Sequence, residues 1–155
     1  MYAVVKIVHS FWALLVLIIL LLAVFNSIRG KVSEKAFDTL DLRISLFGLI
    51  FSHIQLLIGL ILYFISPWFK KWSSLGIGVI KNDESRLYLI EHPLTNLLAI
   101  FLIRMGWSLH KRQTKSSKKF LRIAFFYGLG LFLLLIILPW NTWLQKYITY
   151  NGLSF

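Results

Sequence analysis

The sequence predicts an all-α integral membrane protein, a single-domain four-helix bundle over residues 1–155 whose helices run up, down, up and down. Three observations carry that prediction. Hydrophobic residues make up 58% of the chain and charged residues only 15%, a balance that soluble domains of this length rarely show. Four stretches each hold about 20 consecutive mostly apolar residues, the length that crosses hydrocarbon as a helix. The stretches between them are short, so neighbouring spans run antiparallel. Hydrocarbon satisfies no backbone polar group, which makes each span helical.

The first span covers about residues 7–28. Lys6 before an apolar run resembles a secretory signal, but the run is longer than a signal core. "AVFNSIRGK" also offers no small-x-small cleavage site, so the span is expected to be retained. The second span, about 44–65, follows helix-start residues at Asp38 to Asp41 and ends at "ISPWFKK", where Pro67 stops the helix among interfacial aromatics. The third, about 87–109, follows the Gly-rich turn "LGIGVIKNDES", where Asp83 or Ser85 would cap a helix beginning outside the hydrocarbon. Pro93 would bend it just after His92. The fourth, about 120–138, follows the polar turn "QTKSSKK" and ends at "LPWNTW", with Pro139 and two interfacial tryptophans, Trp140 and Trp143.

The net charge of +11 is unevenly placed. Lys111, Arg112, Lys115, Lys118, Lys119 and Arg122 lie between spans three and four, and Arg29, Lys31, Lys35 and Arg43 flank the first loop. These ten face six on the other side: Lys6, Lys70, Lys71, Lys81, Arg86 and Lys146. Basic residues near span ends favour the cytoplasmic face, so both termini are expected outside. The basic cluster reads as a topology and anionic-lipid signal, and nucleic acid is not an expected partner. The absence of cysteine excludes disulfides, thiolate clusters and covalent c-type haem attachment. No soluble domain fits in loops this short, which argues against catalysis on a large aqueous substrate. Nothing is spaced like a Ser-His-Asp or Cys-His nucleophile.

All four histidines fall within or at the edge of a span, where an ionisable group costs several kcal/mol unless partnered. His9 enters from the outer side on the first helix, and His92 does so on the third. At ~1.5 Å rise per residue the two lie at about one level. His53 is near mid-span, on the order of 10 Å deeper, and His110 lies at the inner surface beside Lys111 and Arg112. Haem needs two axial nitrogens from helices at matched height, whereas zinc needs three or four converging ligands and a di-iron site needs repeated Glu-x-x-His. Of the metal-centred readings, b-type haem on His9 and His92 fits best, with His53 as a substitute ligand or part of a deeper site. Interhelical hydrogen bonding by the same histidines is the competing reading. Arg104 would either snorkel inward or pair with a haem propionate or anionic head group. Glu91 and His92 lie about 100° apart around their helix, and Glu91 would meet Arg86 only loosely.

"HSFW" opening span one, "HIQLLIGLILYFISPW" in span two, "EHPL" opening span three, Gly106 and "KR" closing it, and "IILPW" ending span four resemble a family of small bacterial four-helix membrane proteins labelled cytochrome b. The resemblance covers nearly the whole chain in the right order, and its most specific parts are the second-span motif and "EHPL". It implies haem binding through His9, His53 and His92, with His110 as a further candidate, and a place in the bacterial inner membrane. Phe11, Trp12 and Ala13 stand where the family usually carries a Trp-x-Trp or Trp-Arg-Trp sequence.

Two functions are expected to compete. One is a b-type cytochrome relaying electrons, with quinol as the donor and haem b as the cofactor. It asks the protein only for ligation, burial and orientation. The other is a haem-free accessory or structural subunit of a larger respiratory or membrane complex.

Overall fold

The computed structural model describes residues 1–140 and is helical throughout, with no strand among the described residues. In chain order the helices are α1 (Tyr2–Val32), α2 (Thr39–Ile65), the short α3 (Lys71–Leu75), α4 (Asp83–Lys111) and α5 (Ser116–Ile137). A 3-10 segment, Gly76–Lys81, links α3 to α4. α1, α2, α4 and α5 are each long and apolar enough to cross a membrane. Trp143 and Lys146 lie outside the described residues.

The helices overrun most of the boundaries expected from hydropathy. Apolar windows register only the hydrocarbon-wide part of a helix, whereas its hydrogen bonding continues into polar flanks. α1 runs on through Arg29 and Lys31, whose charges suit the negative end of the helix dipole. α2 starts with the anticipated carboxylates acting as a reciprocal pair. Asp38 Oδ1 accepts from the N–H groups of Leu40 (2.9 Å) and Asp41 (3.0 Å), and Asp41 Oδ2 accepts from the Asp38 N–H (2.9 Å). It ends at Ile65 because Ser66, preceding Pro67, is forced into an extended conformation. At α4 the cap sits one residue earlier than expected. Asn82 accepts from the Ser85 N–H at 2.9 Å, which leaves Asp83 free to bind Arg86 at 3.0 Å.

α1 packs on α2 and α5, and α4 packs on α5 and α2, closing a four-membered ring in which the α2–α4 seam is the least intimate. Across α1 and α2, Asn26 meets Asp41, Trp12 meets Phe51 and His9 meets Gln55, so residue numbers rise on one helix as they fall on the other. The α4–α5 seam is tight because two glycines let the backbones approach. A Cβ at Gly106 would come 2.7 Å from Phe126 Cβ, and one at Gly130 would come 2.8 Å from Ile103 Cγ1 and 2.9 Å from the Ala99 carbonyl.

The outer surface is as apolar as the interior, and α2 turns its small and polar residues inward. The residues α2 buries are Asp41, Ser45, Gly48 and Ser52, while Phe47, Leu57, Ile61 and Phe64 face outward. Phe11, Phe25, Phe101 and Phe132 are likewise each about 60% exposed or more. A continuous apolar exterior of this extent suits lipid and not water. The core is built from Val16, Leu17, Leu20, Ala23, Ile103, Ile123, Tyr127 and Leu131. Tyr127, fully buried, donates its hydroxyl to the Ser45 carbonyl at 2.9 Å.

Candidate functional site

The α-helical stretch of α4 that runs inward begins at His92. Just before it, Leu87–Glu91 forms a π-helical turn in which the His92 N–H reaches back five residues to the Leu87 carbonyl. Pro93 has no N–H to give Leu89, its usual partner four residues back, and the wider turn accommodates that missing donor. Tyr63 on α2 supplies one instead, its hydroxyl donating to the Leu89 carbonyl at 3.3 Å while accepting from Trp72 Nε1 at 3.0 Å. The irregularity therefore lies on the N-terminal side of His92, one turn earlier than the bend expected after it. The widened turn also corrects the expected loose approach of Glu91 to Arg86. The Arg86 Nε donates to Glu91 Oε1 at 2.8 Å, because residues five apart share a face in a π turn.

His9 of α1 and His92 of α4 meet at the same level, with ring centroids 6.3 Å apart and planes inclined at 64°. Both are half-buried. The Gln55 Nε2 lies 3.2 Å from His9 Nδ1 and 3.4 Å from His9 Nε2, and donates to the His9 carbonyl at 3.1 Å. Its Oε1 is buried and has no hydrogen-bond partner among the described residues. One turn further along α2, Gly59 gives the His9 ring room, since a Cβ there would stand 3.4 Å from His9 Cε1. His92 Nδ1–H points at the Ile137 carbonyl, 3.4 Å away at the end of α5, which leaves Nε2 free. Trp12 stacks on Phe51 at 4.8 Å and donates to its carbonyl at 3.0 Å, fixing α1 against α2 one turn below His9.

The other two histidines lie elsewhere. His53 donates Nδ1–H to the Leu49 carbonyl at 2.8 Å and lines a groove of about 390 Å³ between α2 and α4, together with Leu57, Arg104 and Trp107. His53 and Gln55, two residues apart on one helix, point about 160° apart, so His53 serves a different surface from the His9–His92 pair. Arg104 makes no ion pair among the described residues, and its Cα is about 18 Å along α4 from that of His92. His110, at the end of α4 beside Lys111, is 2% exposed. The loop before α2 folds Phe37 over it at 5.7 Å, Trp107 covers it at 4.6 Å, and its Nδ1–H donates to the Trp107 carbonyl at 2.6 Å.

Among the described residues no three His, Cys, Asp or Glu side chains converge as a ligand cluster. The donor set that does converge is a pair of imidazoles. Two metal–imidazole bonds of about 2 Å, plus about 1 Å from each nitrogen to its ring centre, separate the centroids of two axial ligands by about 6 Å. The 6.3 Å between the His9 and His92 centroids is of that size, and Gly59 spares the His9 ring a Cβ that would stand 3.4 Å from it, so the pair could place two imidazoles on one metal. Gln55 is the third side chain at this level. Its contact with His9 depends on how α1 and α2 are rotated, for which the sequence carries no signal. No protein-family model, curated protein or solved structure matches the chain.

Proposed function

We propose that the chain is a multi-pass protein of the bacterial inner membrane, an up-down-up-down bundle with both termini outside, which binds haem b and relays electrons drawn from quinol. What supports this reading is the single observation that His9 and His92, 83 positions apart in the chain, present their rings 6.3 Å apart at one level of the fold. The bound haem would supply one-electron redox chemistry. The chain supplies the rest. His9 and His92 would hold the group from two helices, with the His92 ring fixed by its Nδ1–H bond to the Ile137 carbonyl. Gln55 would orient the His9 ring through its Nε2, 3.2 Å from His9 Nδ1. The α1–α2 contact at Trp12 and Phe51 excludes water from below. His53 and Arg104 belong to a separate groove between α2 and α4.

The second reading, a haem-free accessory subunit of a larger membrane complex, is favoured by a different observation. Gln55 and the Ile137 carbonyl already engage the His9 and His92 rings, as interhelical glue would. The absorption spectrum of the purified protein separates the two. A Soret band is expected, lost in the His9→Ala/His92→Ala double variant and retained in His53→Ala. A colourless, metal-free protein that copurifies with partners, or a band that survives the double substitution, would establish the accessory reading or other ligands.

A further inference from the structure

At the basic end of the bundle a pocket of about 570 Å³ opens between α2, α4 and α5, with Phe37, Thr39, His110, Lys111 and Lys119 in its wall. The lysines come from two helices, and each is held over an aromatic ring instead of a carboxylate. Lys111 Nζ lies 5.5 Å from the Trp107 ring and Lys119 Nζ lies 5.6 Å from Phe37. The pocket's one carboxylate, Asp38, is already engaged by Lys35 at 3.1 Å and by the N–H groups of Leu40 and Asp41. Its field is therefore positive, and neither of its ammonium groups pairs with an anion among the described residues.

Below this pocket the same seam continues as the apolar groove lined by Leu49, Ile50, Leu57, Arg104 and Trp107. On α4, Arg104, Trp107 and Lys111 stand at i, i+3 and i+7, one face of the helix. The Arg104 Cα is about 10 Å deeper than that of Lys111. We propose that this seam binds one anionic phospholipid. Its phosphate sits on Lys111 and Lys119 with the Thr39 hydroxyl at hand. Its glycerol ester carbonyls face Arg104, and an acyl chain lies along Leu49, Ile50 and Leu57. Charge complementarity at the head, the apolar groove in line beneath it, and a cation at ester depth select this occupant over a free phosphate, which has no use for the groove. The proposal rests on insertion of the chain in a membrane but not on haem.

Native mass spectrometry of the full chain released from micelles tests it, with phosphatidylglycerol and phosphatidylcholine of identical acyl chains as probes and inorganic phosphate as competitor. One phosphatidylglycerol per chain is expected to be retained in preference to phosphatidylcholine. Retention should fall about tenfold or more in Lys111→Gln/Lys119→Gln and stay unchanged in Lys6→Gln/Lys70→Gln at the opposite end. Should the double variant lose its helical circular dichroism, amine labelling of the unaltered protein replaces it, and phosphatidylglycerol but not phosphatidylcholine should shield Lys111 and Lys119. Equal retention of the two lipids, wild-type retention by the double variant, absence of shielding, or displacement by inorganic phosphate would overturn the assignment. A chain that stays soluble without detergent would instead refute the membrane reading, and the Soret band is read independently of both.

Discussion

Tyr63→Phe removes a hydroxyl that makes two bonds, one to the Leu89 carbonyl at 3.3 Å and one from Trp72 Nε1 at 3.0 Å. Hydrogen bonds of this kind contribute roughly 0.5–1.5 kcal/mol each, and about 0.6 on average between membrane helices. The substitution should therefore cost about 1–2 kcal/mol. The bond to Leu89 matters because Pro93 has no N–H to offer that carbonyl. Pro93→Ala restores an N–H four residues on and makes the Tyr63 bond redundant, so in that background Tyr63→Phe should lose only the Trp72 bond. The difference, a coupling of roughly 0.5–1 kcal/mol, is read by a double-mutant cycle of unfolding free energies. Reversible SDS titration in mixed micelles, followed by far-UV circular dichroism, supplies the four values. An equal cost of Tyr63→Phe in both backgrounds would refute the claim that Tyr63 compensates for the proline.

Close packing of α4 on α5 predicts that Gly130→Ala destabilises by about 1–3 kcal/mol, since the added Cβ would press on Ile103 and on the immovable Ala99 carbonyl. Gly128→Ala, with nothing within 4 Å, should be neutral or slightly stabilising, and thermal melts that fail to separate the two would contradict the packing. At the start of α2 the Asp38 carboxyl is held below its ordinary range by the Asp41 N–H first and by Lys35 next, and Lys35 is held above its own range chiefly by its bond to Asp38. A depressed acid stabilises at pH above its unfolded value and loses this as pH falls through the folded one, whereas a raised lysine loses its contribution only as pH climbs past the unfolded value. The melting difference between wild type and Asp38→Asn, which keeps a capping side chain, should thus be flat from about pH 5 to 9 and shrink below about pH 4. A step near pH 6–7 would point to a histidine instead.

The sequence by itself determined the number of long helices, the carboxylate start of α2 at Asp38 and Asp41, its stop before Pro67, and the shared level of His9 and His92. These are local or one-dimensional properties: apolar length, cap chemistry, and rise per residue. Only the tertiary structure decided that α2 turns Asp41, Ser45, Gly48 and Ser52 inward, because lipid accepts the apolar face and hydropathy then carries no inward direction. That rotation brings Gln55 and Gly59 to His9 and sends His53 to another groove. The Arg86–Glu91 pair escaped a 3.6-residue reading because the π turn locally changes the period. The burial of His110 under Phe37 depended on a loop closing across the bundle end, a contact between residues 73 positions apart that no local pattern announces.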